Sequence, residues 1–294
     1  MTSTETPHET LVRRFYDDAA VGGEGAGEAY TALMEEVWHH GDLAADRDGV
    51  SPLEAAVRME RQLMTIAGVG PGDHVLDFGS GPGGATVNMA EMTGATFVGV
   101  SNSESLSQRA RRHAADRGLR NLARFATIGD LDYRDLALWP DASFDAVTFF
   151  ESVCHLPDKA AFFRAAARTL KPGGRLVGLD WLQRPFGEHQ SEEQIRAFID
   201  PVCEHIRLAP GGLGTLEGYA ELMRAAGLRV THAVDAFPGE PCWGSTPPED
   251  REAWLTYSGP SGDVFQRGKR ALDAARGAGV FTVGWWAATR PATV

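Results

Sequence analysis

The chain has 294 residues, 43% hydrophobic and 23% charged, which suits a globular protein of one large domain or one domain with a lid. Forty acidic against 28 basic side chains leave a net charge of −12, which excludes the basic surface that non-specific nucleic-acid binding needs; no nucleic-acid partner is expected. Cys154, Cys203 and Cys242 are odd in number and widely spaced, so neither a disulfide framework nor a zinc site is indicated; no metal is expected, and a reducing, cytoplasmic setting is.

The opening stretch MTSTETPHETLVRRFYDD is polar and lacks the apolar core of a signal peptide. Apolar residues at three-and-four spacing predict helices over 8–20 and 28–38, parted by the loop VGGEGAG. A third helix covers 52–68 and stops at Gly68. Residues 1–70 are therefore expected to form an N-terminal helical lid.

From residue 71 the pattern changes to short apolar strands alternating with helices. Strand 73–79, helix 84–94 and strand 95–100 come first. Helix 101–118 follows, opened by Ser101 and Glu104 at capping-box spacing and closed by Gly118. Strands 122–129 and 144–150, helix 158–171 stopped by PGG, and strand 175–181 complete a core over 71–185. This rhythm implies a parallel sheet covered by helices on both faces. Residues 188–209 read as a polar helical insert and 215–227 as a helix, so that 186–230 is expected to be a helical insert and substrate lid. Residues 231–294 complete the sheet: strand 228–237 leads into them, followed by a Pro/Gly-rich stretch over 238–250, a helix over 248–277 of open continuity through Gly259 and Pro260, and a last strand over 280–288. The longest uncharged apolar stretch, GAGVFTVGWWAAT, is too short to span a bilayer, and no membrane span is expected. The expected fold class is α/β: a Rossmann-like doubly wound sheet, mostly parallel with an antiparallel last strand, plus the helical lid.

The stretch VLDFGSGPGG, residues 75–84, joins the first strand to the first core helix. Gly79, Gly81 and Gly84 spell G-x-G-x-x-G, a pattern that cradles a dinucleotide pyrophosphate. Asp77 opposes that ligand: two residues before the first glycine, its carboxylate would be repelled by about 4 kcal/mol at an effective dielectric of about 20. A sulfonium and an α-ammonium group would be attracted, which is the charge pattern of S-adenosylmethionine. The second strand ends at Ser101 in GVSNSES, where NAD enzymes place an Asp or Glu for the ribose. Asp130 in IGDLDY, SFD at the fourth strand and LKPGGRL before the fifth follow in order.

With these landmarks, residues 71–182 resemble the class I S-adenosylmethionine-dependent methyltransferases. The resemblance implies S-adenosylmethionine as cofactor and gives the residues roles. Gly79 and Gly81 let the backbone approach the cofactor, and Asp77 supports the loop and the ammonium group. Asp130 with the backbone of Leu131 holds the adenine edge, with Asp132 and Tyr133 as a rival register. Ser101 departs from the commoner acid, leaving Asn102 or Glu104 to contact the ribose, and Phe150 lines the cofactor side.

FFESVCHLPDK, residues 149–159, is similar to the small-molecule branch of that family, which includes tocopherol, sterol, geranyl-diphosphate and antibiotic-tailoring methyltransferases. YTALMEEVWHHG, residues 30–41, is similar to the branch's N-terminal segment that covers the cofactor. The resemblance makes Glu151 a candidate general base for alkene methylation; alternatively it caps the helix near Lys159 or pairs with an arginine. His155 is a candidate base for an O–H or N–H acceptor, or a cap or space filler beside Pro157. His39 and His40 read as lid packing, since no third ligand at metal spacing accompanies them. Tyr16, Tyr30, Trp38 and Trp181 are candidate substrate-binding aromatics, whose ring faces suit a cationic transition state; Trp285 and Trp286 read as core. A phosphate grip would need arginine, and Arg184, Arg196 and Arg207 lie in or near the insert, where they read equally as solvated charges on an exposed helix; whether a diphosphate and Mg2+ take part stays open. The expected reaction is methylation of a small, largely apolar natural product. Isoprenoid C-methylation comes first, with a cyclisation before proton loss left open, and O- or N-methylation second. An NAD(P) oxidoreductase or a non-catalytic cofactor-binding protein are distant alternatives, and a homo-oligomer is left open.

Overall fold

The computed structural model describes residues 6–187, 190–239, 242 and 248–292. Seven strands form one sheet in the order β3-β2-β1-β4-β5-β7-β6. They are β1 (His74–Phe78), β2 (Thr96–Ser101), β3 (Ala123–Thr127), β4 (Phe144–Phe150), β5 (Leu170–Gln183), β6 (Arg229–Asp235) and β7 (Phe281–Thr289). The first five run parallel, and β7 lies antiparallel between β5 and β6. This is the mostly parallel sheet with an antiparallel last strand that the sequence predicts. The inner strands are apolar on both sides because helices cover both faces.

The N-terminal helices are α1 (His8–Tyr16), α2 (Ala26–Met34), α3 (Leu43–Asp48) and α4 (Pro52–Ala67). The core and C-terminal helices are α5 (Gly84–Thr93), α6 (Glu104–Asp116), α7 (Lys159–Thr169), α8 (Glu192–Ile206), α9 (Leu216–Ala225), α10 (Pro248–Leu255) and α11 (Gly262–Gly277). Several bounds differ from expectation for local reasons. α1 stops at Tyr16 because Asp17 turns extended, and its carboxylate accepts from Ser103 Oγ at 2.6 Å. α2 stops at Met34, where Glu35 takes a φ of 53°. The cap of α6 is Ser103 rather than Ser101: Ser103 Oγ accepts the Leu106 N–H at 3.2 Å, and Ser101 ends β2. The helix expected over 248–277 is two helices, broken around Ser261 at a φ of 55°. The short α3 had no clear sequence signal. Of the predicted segments, residues 1–5, the start of the insert at 188–189, 240–241 and 243–247 in the Pro/Gly-rich stretch, and 293–294 lie outside the described residues.

One face of the sheet packs against α4, α5, α8 and α11, and the other against α7 and α9. α1 lies over the carboxyl edge of the sheet with Val12 and Phe15 buried, Phe15 at 1% exposure. Burying each such side chain is worth about 1.5–3 kcal/mol, so α1 is docked on the edge and not merely draped over it. The strand order reverses between β1 and β4, the place where ligands bind in doubly wound sheets. Among the described residues no helix is long and apolar enough to cross a membrane.

Candidate active site

A cleft of about 1230 Å³, its open mouth included, lies beyond the carboxyl ends of β1 to β5. Asp77, Gly79, Gly81, Ser101, Asn102, Asp130, Phe150, Glu151, His155, Tyr16, Tyr30, Trp38 and Trp181 all line it. Leu131 does not: it is 46% exposed.

The glycine loop is held tightly. Asp77 pairs across the sheet with Gly99 on β2 and Thr148 on β4. Its carboxylate accepts from Thr86 Oγ1 at 2.5 Å and Thr148 Oγ1 at 2.8 Å, bracing β1 against α5 and β4. Burial pushes its pKa up to about 6, the two hydroxyls pulling the other way. The N–H groups of Gly79 and Ser80 both donate to the Val100 carbonyl at 2.9 Å. Gly79 has a φ of 76°, and a Cβ there would meet Ser152 Cβ at 2.2 Å, so only glycine fits. Gly84 is explained by a contact the sequence hides. A Cβ there would lie 2.1 Å from the Glu36 carbonyl, which accepts the Gly84 N–H at 3.0 Å. The last glycine of the loop thus lets the lid segment approach.

On the β2–β3 side, Asp130 accepts from Thr10 Oγ1 at 2.9 Å, Arg13 Nε at 3.0 Å and Asn102 Nδ2 at 3.2 Å, latching α1 to the sheet edge. Ser101 Oγ accepts the Ser103 N–H at 3.1 Å. The other register is divided. Asp132 turns back to the Gly129 N–H at 2.7 Å and does not line the cleft, whereas Tyr133 does, its hydroxyl donating to Glu9 at 3.1 Å. Glu104 does not line the cleft either, its carboxylate bonding Thr127, Arg111 and Gln108.

Glu151 follows β4 in a left-handed conformation, φ 51°, which costs a non-glycine residue on the order of 1–3 kcal/mol. Its N–H donates to the Leu179 carbonyl at 2.8 Å. One carboxylate oxygen accepts the His40 backbone N–H at 2.8 Å and His40 Nδ1–H at 2.6 Å; the other accepts Trp181 Nε1–H. Arg276 on α11 donates to His40 Nε2 at 2.6 Å, which places the His40 proton on Nδ1. Burial lowers the His40 pKa, so the ring is neutral. Burial would push Glu151 up, but His40 and His39 outweigh it and hold the carboxyl below its usual range. Of the alternatives for Glu151, the cap of α7 is Asp158, which accepts the Ala161 N–H at 2.9 Å, and Arg276 donates to His40, which in turn donates to Glu151.

His155 sits opposite. Its Nδ1 donates to the Arg207 carbonyl at 2.8 Å, leaving Nε2 to accept from the Tyr16 hydroxyl at 3.2 Å. Burial drives its pKa down to about 4. Tyr16, Tyr30 and Trp38 form an aromatic roof, with Tyr30 and Trp38 centroids 5.4 Å apart and Tyr16 and Trp38 stacked at 6.2 Å. Trp181 forms the far wall against Phe281 at 5.3 Å.

The three arginines proposed as phosphate grips lie elsewhere. Arg184 pairs with Asp235, Arg196 with Glu192 and Arg207 with Glu24, and none lines the cleft. Trp285 and Trp286 are core. His39 and His40 do more than pack: His40 holds Glu151, and His39 pairs with the fully buried Glu60 at 3.0 Å. His40, Glu60 and Arg276 are what sequence reasoning missed. The HHG segment drew attention to the histidines, but nothing in the sequence joins Arg276 to them.

Residues 76–178 match a family model described as a methyltransferase domain. The chain is 32% identical over 216 residues to 27-O-demethylrifamycin SV methyltransferase of Amycolatopsis mediterranei (strain S699), covering 71% of this chain and 74% of that protein. It is 29% identical to the chloroplastic tocopherol O-methyltransferase of Arabidopsis thaliana, over 72% and 65% of the two chains. Geranyl diphosphate C-methyltransferase from Streptomyces coelicolor A3(2), solved with Mg2+, geranyl diphosphate and S-adenosyl-L-homocysteine, shares the fold with a TM-score of 0.71 at 20% identity, over 98% and 99%.

Proposed function

This chain belongs to the S-adenosylmethionine-dependent methyltransferases, and from that premise we propose that it methylates a carbon of a small, largely apolar acceptor carrying a prenyl-type alkene, with Glu151 as the reacting carboxylate. The cleft residues fit the cofactor. Ser80 Oγ lines the cleft, is buried, and makes no hydrogen bond among the described residues. A Cβ at Gly81 would meet only Trp38, at 3.9 Å, so the loop faces open space there. The Asp77 carboxylate, destabilised by burial, gains from a nearby cation. Asp77, Ser80, Gly81, Ser101 and Asp130 would hold the cofactor, which supplies an electrophilic methyl on a sulfonium.

The observation that carries the reading is the set of three donors on Glu151. They keep the carboxyl ionised in the part of the cleft that Tyr16, Tyr30, Trp38 and Trp181 line. An alkene π pair that took this methyl would form a C–C bond as the C–S bond broke, its electron pair left on a neutral thioether, and positive charge would remain on the neighbouring alkene carbon. Glu151 would stabilise that charge, the aromatic roof would face it, and the carboxylate would accept the proton whose loss restores the double bond. A carbocation is so acidic that a base of low pKa suffices. A hydroxyl acceptor needs a base near the working pH. His155, near 4 and already bonded to Tyr16, is ill suited to that task.

O-methylation is the second reading, favoured by the names of the rifamycin and tocopherol relatives. Assaying prenyl alkenes beside phenols and alcohols, with Glu151→Gln and His155→Ala, separates the two. Loss in Glu151→Gln on alkenes supports the first; methylation of hydroxyls alone, with His155→Ala the more damaged, overturns it.

A further inference from the structure

His39 lines the cleft but has no part in the chemistry above, and Glu60, 0% exposed in the middle of α4, has none either. His39 Nε2 faces Glu60 Oε1 at 3.0 Å, and His39 Nδ1 faces the His40 carbonyl at 2.9 Å. The His40 carbonyl is an acceptor, and so is Glu60 when ionised. A neutral imidazole carries one N–H and would then oppose a lone pair to one of those oxygens, whereas the imidazolium satisfies both; a neutral pair would need the proton on Glu60, whose carboxyl burial pushes up while the His39 and Asn88 hydrogen bonds pull it down. The carbonyl so held belongs to His40, whose backbone N–H and Nδ1–H are two of the three donors on Glu151.

We propose that His39 and Glu60 are positioning residues: the His39 imidazolium, paired with Glu60, fixes the His40 peptide and thereby the place and ionisation of Glu151. The inference rests on the reading of Glu151 as the reacting carboxylate and deepens it.

The groups facing His39 agree. Glu60 comes from α4, with Arg61 near it; Asp77 from β1 and Glu151 after β4 act on the ring; Asn88 on α5 donates to Glu60 at 3.4 Å; Arg276 on α11 donates to the neighbouring His40. Burial lowers the His39 pKa, but the Glu60 hydrogen bond and charge outweigh it and raise it above the ordinary value. A buried ion pair of this kind is often no more stabilising than apolar side chains of equal volume, so stability alone does not explain it.

The test uses the full chain without cofactor or acceptor. The indole N–H of Trp181 donates to Glu151, so its NMR resonance, identified by its loss in Trp181→Phe, reports on Glu151 directly. We expect both His39 ring nitrogens to be protonated at neutral pH, and the Trp181 resonance to move as His39 loses its proton. In Glu60→Gln the His39 titration should fall by about one pH unit or more, with the Trp181 resonance displaced. A singly protonated His39 at neutral pH overturns the proposal. So does a Trp181 resonance that ignores His39 deprotonation, a result readable in the wild type alone should Glu60→Gln fail to fold. Failure of Glu151 as the reacting group would show instead as undiminished turnover of Glu151→Gln.

Discussion

The two halves of the cleft hold their carboxylates by different means. On the cofactor half, Asp77 is braced by two threonine hydroxyls and its pKa is pushed up to about 6. On the acceptor half, Glu151 is surrounded by His40, Trp181 and, behind them, Arg276 and His39, and is held below its usual range. Both groups are buried, so burial alone does not set their charge; the number of donors does, three N–H groups on Glu151 against two hydroxyls on Asp77, together with the cations behind them. Neutral hydroxyls leave Asp77 in need of a cation, which the cofactor brings. The charged network makes Glu151 an anion before any ligand arrives.

The largest expected effect breaks this contrast at its charged end. Glu151→Gln keeps the shape and removes the anion. Turnover on an alkene acceptor should fall by about two to four orders of magnitude, the range for losing a positioned general base. Affinity for S-adenosylhomocysteine, measured by calorimetry, should hardly change, because the cofactor half is untouched.

Beneath the acceptor half lies another buried carboxylate, Asp180, which accepts the Trp181 N–H at 2.9 Å and the Tyr219 hydroxyl at 3.0 Å. Burial pushes it from 3.8 to about 7. Its folded pKa lies above its unfolded one, so the native state binds more protons between those values and stability falls as pH rises through that window. The loss by pH 8 is at most about 4 kcal/mol, and Asp77 adds a smaller share ending near pH 6. His155 and His40, held below the ordinary histidine range, act in the opposite direction up to about pH 6.5, so the Asp180 share is read by difference: in denaturant melts from pH 5 to 8 the stability of the wild type relative to Asp180→Asn should decline. A relative stability that rises over this window would contradict the assignment.

Gly81→Val sharpens the contrast from the cofactor side. Its side chain would stand in the open space before Trp38 at a φ of 51°. Overpacking of about 1–3 kcal/mol corresponds to roughly 10–100-fold weaker S-adenosylhomocysteine binding, with the fold retained. Unchanged calorimetric affinity would mean that the loop does not face the cofactor.

The smallest effect concerns the latch between α1 and the sheet edge. Arg13 is half-exposed, so its pair with Asp130 is worth about 0–1 kcal/mol. Arg13→Ala should leave melting nearly unchanged, since Val12 and Phe15 still dock α1. Amide exchange within α1 should quicken, and slow again with cofactor.

The same contrast explains what the sequence made legible. The cofactor half is written within ten residues, VLDFGSGPGG, because one strand and one tight turn place Asp77 and the glycines together. The mostly parallel sheet followed from the alternation of apolar runs and helices. Glu151 and His155 were marked by a contiguous stretch as well. The pairing of Glu151 with His40 and Trp181, and the Glu60 and Arg276 behind them, were not, since these residues come from different elements, brought together only by tertiary packing. Arg276 read as one more charge on a C-terminal helix, yet it is 3% exposed. Gly84 fits a dinucleotide pattern in sequence, and only the Glu36 carbonyl above it explains it here.

The most direct measurement of the central claim, that an ionised Glu151 serves carbon methylation, is the fate of a 13C-labelled methyl group. S-adenosylmethionine carrying the label is incubated with the protein and a mixture of prenyl alkenes, phenols and alcohols. The product methyl carbon is then read by NMR. The label is predicted in the carbon-bound methyl region, absent in Glu151→Gln and retained in His155→Ala. A methoxy resonance that survives Glu151→Gln would contradict it.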